Sequence, residues 1–235
     1  MTLAVVISCE HGGNRIPAAY RPLFRRHRAA LESHRGFDPG ALALARDFAK
    51  ALNAELVYST TSRLLVELNR SRRHPAVFSE MTKPLSAPER ESLLERYYTP
   101  YRIWLEEHVR SAVDRGGRVL HLSSHSFTPR LNGVARQADV GLLYDPRRAA
   151  ELRFCRAWQR ELAAAQPQLR VRRNYPYRGY ADGLTTHLRR LFPGDRYAGI
   201  EVEVNQRFPL GDAHAWRDLR GLLVSTVTKA MSAVF

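Results

Sequence analysis

The chain has 235 residues, of which 44% are hydrophobic and 26% charged. That fits one large soluble domain, residues 1–235, with a sizeable core. No apolar run approaches the ~20 residues of a membrane span, and two cysteines, Cys9 and Cys155, exclude a disulfide framework and a CxxC metal knuckle. The net charge of +14 comes from 37 basic residues, all arginine except Lys50, Lys83 and Lys229, against 23 acids. These arginines are scattered among the acids, with no basic tail, zinc-finger spacing or aromatic-interleaved signature. They read as a basic surface, and no nucleic-acid partner is expected.

The opening "MTLAVVISCEH" has no basic n-region and its apolar run ends in charge. It reads as a first strand over 3–9, not as a signal peptide, with the cytoplasm as the default location. Residues 38–54 read as a helix, with Asp38 as N-cap and Pro39 in the first turn. Residues 55–71 offer two short strands around a polar turn, and 72–86, with two prolines and no period, a loop. Ser86 and Pro88 open a long amphipathic helix that Pro100 kinks or splits and Gly116-Gly117 ends. Strands follow over 118–127 and 138–145, then a helix, a short strand in "LRVRRN", a short helix over 182–193, a strand over 198–208 and a closing helix. Strands alternating with long helices give the α/β class, a three-layer sandwich.

Open α/β sheets bind ligands beyond the carboxyl ends of their strands, and three apolar strands here end on polar residues. The first ends at Cys9-Glu10-His11 and the second at Ser124-His125-Ser126. On the third, Glu201, Glu203 and Asn205 alternate onto one face. With Asp38 at a helix start, two histidines, a carboxylate and a separate glutamate make up the donor set of a catalytic zinc site plus a base. Spacing does not choose between Glu201 and Glu203. Glu10 rivals Asp38 as the carboxylate ligand, although adjacent residues leaving a strand point in opposite directions. Cys9 reads either as a nucleophile or as a small buried apolar residue.

The ordered set "SCEHGGNRIP", "HRGFDPGA", "SRLLVELNRS", "SSHSFTP", "GVARQADVGLLYD", "NYPYRGY" and "GIEVEVNQRF" resembles the N-formylglutamate amidohydrolase family. The resemblance spans about residues 5–208. It implies a three-layer fold with a mixed central sheet, similar to the zinc carboxypeptidase or phosphorylase/hydrolase-like fold. It also implies zinc-dependent hydrolysis of an N-acyl bond on an amino acid such as N-formylglutamate, releasing a carboxylic acid. Carried over by position, His11, Asp38 and His125 would hold Zn²⁺ and Glu203 would be the catalytic glutamate. Gly12 and Gly13 would leave room for zinc and substrate. Family members often have Asp-x-Asn-Arg where this chain has Glu67-Leu68-Asn69-Arg70.

The same resemblance assigns the remaining roles. Arg136 and His187 are candidates to stabilise the oxyanion. Arg63 and Arg70, with Asn69 beside the latter, are candidates for the substrate's α-carboxylate, and Asn14 for the pocket rim. Arg70 is favoured over Arg63 because it follows the stretch read as a strand, "LLVELN". The expected partner is a small N-acyl amino acid, with no membrane. The rival readings are a basic nucleic-acid-binding module, a cysteine hydrolase using Cys9, and a metal-binding relative without catalysis.

Overall fold

The computed structural model of the chain describes residues 2–235; Met1, the first residue of the 1–235 domain reading, lies outside them. The elements are β1 (Leu3–Cys9), α1 (Arg21–Phe24), α2 (Arg28–Leu31), α3 (Ala41–Leu52), β2 (Glu55–Tyr58), α4 (Ala87–Leu93), α5 (Thr99–Asp114) and β3 (Arg118–Phe127). They continue with the hairpin β4 (Arg130–Leu131) and β5 (Val134–Ala135), then β6 (Val140–Leu143), α6 (Ala149–Ala165), β7 (Val171–Arg173), α7 (Leu184–Leu191), β8 (Tyr197–Asn205) and α8 (Ala213–Ser232). Among the described residues no helix is long and apolar enough to cross a membrane.

Six strands form one mixed sheet in the order β2-β1-β3-β8-β6-β7. The first four run parallel, β6 runs antiparallel to β8, and β7 pairs parallel with β6. Helices α3, α6 and α8 cover one face and α5 and α7 the other. This is the expected three-layer α/β architecture.

Strand alternation decides where the polar groups go. Ile7, Cys9, Leu120, Leu122, Ile200 and Val202 pack into the core under α3, α6 and α8. Val6, Val119 and Tyr197 belong to the opposite core. Ser8, His121, Ser123, His125, Glu201 and Glu203 share the parity of this second set. One face of the sheet therefore carries a polar track that ends at the carboxyl ends of β3 and β8.

Two local expectations are revised, and the long helix splits beside Pro100 as expected. Residues 63–69 form turns and not a strand. Leu64, Leu65, Val66 and Leu68 are buried there without a ladder. Side chains satisfy the backbone instead: Ser62 Oγ accepts from Leu64 N (3.2 Å) and Glu67 Oε1 from Asn69 N (2.9 Å). Asp38 is not the N-cap of α3, because Gly40 holds that position. The long helix divides at a π-helical turn, Leu94–Tyr98, after which Pro100 sits in the first turn of α5. There its missing N–H costs little.

Gly13 has a packing reason to be glycine. A Cβ there would lie 2.7 Å from the carbonyl oxygen of Thr60, where the chain after β1 runs beside the chain after β2 and Arg15 N donates to that same carbonyl at 2.9 Å. The space serves the neighbouring backbone and not zinc or substrate, which corrects the sequence reading.

His121 on β3 is fully buried and sits between the hydroxyls of Tyr197 (2.7 Å) and Ser8 (2.8 Å). Burial lowers its pKa to about 4, against ~6.5 in the unfolded chain. As pH falls through that window the unfolded state takes up a proton that the native state refuses, so stability is lost on acidification, by at most roughly 3 kcal/mol. His121→Gln should flatten the stability–pH curve between those limits in urea unfolding at pH 7, 5.5 and 4. An unchanged slope would show that His121 is not the group responsible.

Candidate metal centre and active site

Three separate stretches converge at the carboxyl ends of β1 and β3. His11 follows β1, and its carbonyl accepts from Asp38 N at 2.9 Å, which ties the loop before α3 to the strand end. His125 comes from β3. Asp38 Oδ2 lies 3.3 Å from His11 Nδ1 and 3.0 Å from His125 Nδ1. One ligand atom from each residue falls within 4.8 Å of the others, and all three residues are buried. Zinc bonds of about 2.0–2.2 Å put neighbouring ligand atoms of a tetrahedral site about 3.3–3.6 Å apart. Separations and N₂O donor set both fit that ion.

The other nitrogen of each imidazole meets a carboxylate. His11 Nε2 is 2.5 Å from Glu67 Oε1. His125 Nε2 is 2.9 Å from Glu10 Oε2 and 2.8 Å from Ser123 Oγ. Glu10 in turn accepts from the hydroxyls of Tyr101 (2.8 Å) and Ser123 (2.7 Å). Arg63 closes the cluster, donating from Nε to Glu67 Oε2 (2.7 Å) and from Nη1 to Asp38 Oδ1 (3.2 Å). Such outer partners fix ring orientation and leave both Nδ1 atoms facing one point.

Burial pushes the Glu10, Asp38 and Glu67 carboxyls up, but their imidazole neighbours, joined by Arg63 at Asp38 and Glu67, outweigh it and hold all three well below the usual range. The histidines respond in the opposite sense. Burial and Arg63 push His11 down, yet Glu67 and Asp38 leave it raised. Burial likewise opposes the charge on His125, but Asp38 and Glu10 lift it well above its ordinary value.

A cavity of about 460 Å³ opens over this cluster. The strand ends contribute His125, Glu201 and Glu203, and the loops contribute Arg63, Arg70, Tyr177 and Arg178. Glu203, in register with His125, has a buried Oε2 with no hydrogen-bond partner. Burial raises its pKa to about 7. Glu201 differs, since its Oε1 accepts from Thr185 Oγ1 at 2.6 Å. Asn69 also lines the cavity, with its Oδ1 accepting from Leu184 N at 2.7 Å. The Arg70 guanidinium donates to the carbonyl of Asp182.

Several expected residues stand elsewhere. Asn14 donates to the carbonyl of Leu31 at 3.1 Å and is not among the cavity residues; it braces a loop. His187 faces outward on α7, 3.4 Å from Glu106. Arg136 lies behind the wall, over the rings of Phe127 and Tyr177 at 5.7 and 5.0 Å. Cys9 is fully buried in the opposite core and burial pushes its thiol up, which removes the setting a cysteine nucleophile needs. Glu10 is the partner of His125 Nε2 and does not face the point where the two Nδ1 atoms meet Asp38. Glu67, Tyr101 and Arg178 were not singled out from the sequence. The nearest signal was Glu67 standing where the family carries aspartate.

A mixed α/β sheet with a buried His-Asp-His cluster beside a protonatable glutamate at its strand ends is the frame of a hydrolase acting on amides. Residues 3–209 match the family described as N-formylglutamate amidohydrolase, and the chain belongs to it. Among solved structures, gene product Atu2144 from Agrobacterium tumefaciens is 28% identical with a TM-score of 0.83, covering 98% of this chain and 91% of that one. An N-formylglutamate amidohydrolase from Ralstonia eutropha is 21% identical with a TM-score of 0.72, covering 99% and 96%, a likeness of fold. No curated protein matches the sequence.

Glu67→Gln keeps the size of the side chain but removes the charge that orients His11. Metal affinity, read by competition with a chromogenic chelator, should fall about 10–100-fold. An unchanged affinity would mean that His11 Nε2 needs no carboxylate partner.

Proposed function

We propose that the chain is a zinc-dependent hydrolase of N-acyl amino acids of the N-formylglutamate type, releasing the free amino acid and a carboxylic acid. The observation that carries this reading is the partnerless Glu203 carboxylate, in the same cavity as His11, Asp38 and His125. Nδ1 of each histidine and Oδ2 of Asp38 would hold the ion. Bound there, zinc supplies polarisation of the acyl carbonyl and a water that is acidic near neutral pH.

The chain's own residues do the rest. Glu203 takes a proton from the attacking water and gives it to the amide nitrogen as the C–N bond breaks. The water's oxygen stays on the acyl carbon and leaves as the carboxylic acid. With a pKa raised to about 7, it can both accept that proton and return it. Glu201, held by Thr185, is the weaker candidate. His187 and Arg136 are not among the cavity residues, and this scheme assigns them no step.

Arg70 is the proposed holder of the α-carboxylate. Its guanidinium has a carbonyl partner and no carboxylate, and Asn69 anchors the turn beside it. Arg63 is already committed to Glu67 and Asp38 and serves the metal cluster. Arg178, whose Nη1 donates to Tyr180 Oη at 3.0 Å, suits a second carboxylate on the amino-acid side chain.

The direct test is metal analysis of the purified protein with a hydrolysis screen over N-formyl, N-acetyl and N-succinyl amino acids. About one zinc per chain and turnover abolished by chelation are expected; full zinc occupancy without turnover on any of them would sink the proposal. Glu203→Gln should keep the metal and lose about 10²–10⁴-fold in kcat. If Glu201→Gln does so instead, the base is the other glutamate. Arg70→Lys should lower kcat/KM for free N-acyl amino acids by roughly 1–3 kcal/mol and barely affect the corresponding α-amides. Equal losses on acid and amide would make Arg70 a structural residue.

A further inference from the structure

A second cavity, of about 510 Å³, lies at the other end of the parallel strands. Its walls are the first residues of β3 and β8, the first turn of α6, and Phe235. Five arginines line it, Arg118, Arg147, Arg148, Arg153 and Arg196, with Asp195 as the carboxylate side chain among the lining residues.

The charges in this cavity do not cancel. Arg147 is paired with Asp145 at 2.8 Å, and Arg196 with Asp195 at 3.7 Å. Arg148 donates to the carbonyls of Arg189 and Phe192, and no carboxylate pairs with it. Arg118 and Arg153 form no ion pair or side-chain hydrogen bond among the described residues. Nε of Arg118 is shut off from solvent without an acceptor. A charged donor left so is costly and uncommon.

The backbone adds to the same field. Helix α6 begins at Ala149 with no side-chain cap, and Ala149 and Ala150 line the cavity. The N–H groups of a first turn have no acceptor within the helix and carry the positive end of its dipole. Glu151, the acid of that turn, does not neutralise them. It points into the interior, 2.9 Å from Arg189 Nε, and also accepts from Gly199 N and Asp145 N.

We propose that this cavity binds an anion carrying two or more phosphate groups, free or as the tail of a nucleotide. Three guanidinium groups without a carboxylate, joined by backbone donors in one open concavity, match the many acceptor oxygens of such an anion better than a single carboxylate. The site lies at the opposite end of the strands from the hydrolytic cavity and does not rest on the function proposed for it.

The test is isothermal titration of the full chain with tripolyphosphate, ATP and citrate at 150 mM salt. Tripolyphosphate should bind one site per chain with Kd below about 100 µM. Arg118→Gln/Arg153→Gln should weaken it at least about tenfold, while Arg25→Gln/Arg26→Gln, which removes the same charge from an exposed segment, should leave it unchanged. Thermal melts check that both variants fold, and the single Arg153→Gln, at an exposed position, serves should the double variant not fold. Tighter binding of ATP supports the nucleotide source, and equal or weaker binding the free polyphosphate. Absent binding, equal losses in both double variants, binding untouched in Arg118→Gln/Arg153→Gln, or citrate binding as tightly would each overturn the proposal.

Discussion

Glu10, Asp38 and Glu67 place three carboxylates against two imidazoles and one guanidinium, in a cluster where the acids and histidines are buried. Arg63 is the permanent cation, so with three ionised carboxylates the cluster stands two positive charges short of neutrality. Burying unbalanced charge is among the most expensive things a fold can do. Two remedies fit the geometry. Protons on both histidines supply the charge, which is why their pKa values are raised despite burial. A divalent cation at the two Nδ1 atoms and Asp38 Oδ2 supplies the same charge and displaces those protons. The outer carboxylates that look like a burden on stability are therefore what would let the centre accept a dication.

That constraint explains features of the fold with no other evident purpose. Tyr101 reaches from α5 to Glu10, and Ser123 stands between Glu10 and His125. The turns over 62–69 keep Arg63 and Glu67 four residues apart and on the same cluster. The close approach at Gly13 holds that segment beside the chain leaving β1.

The sequence displays the strand-end part of this arrangement openly. "RVLHLSSHSF" coincides with β3, and the ends of β1, β3 and β8 carry His11, His125 and Glu203, because period-2 alternation and strand ends are local properties of the chain. Asp38 was legible as a carboxylate but also resembled a helix cap, since cap and ligand demand the same residue type just before a helix. Glu67 was hidden for a different reason: its meeting with His11 spans 56 residues, and no periodicity encodes a contact of that range. The same holds for Arg63. Which acid an arginine meets is a tertiary fact, so the reading of Arg63 as a substrate group gave way to one in which it holds the cluster together. The stretch 63–69 misled because an apolar run says only that residues are buried, and turns bury them as well as a strand does.

The antiparallel strand β6 brings in what the parallel strands cannot. It sets Gly141 opposite Glu203, and a Cβ on Gly141 would meet the carbonyl oxygen of Tyr175 at 2.1 Å. Glycine thus lets the chain after β7 settle onto the sheet beside Glu203, and that chain carries Tyr177 and Arg178 to the cavity wall. With a side chain at position 141 the segment would stand off, opening the cavity next to Glu203 and admitting the water whose exclusion keeps that carboxyl near pKa 7. The shape of the cavity wall and the burial of Glu203 are in this way coupled through one backbone contact. The strand ends place His125 and Glu203, and the loop that Gly141 admits closes the wall beside them.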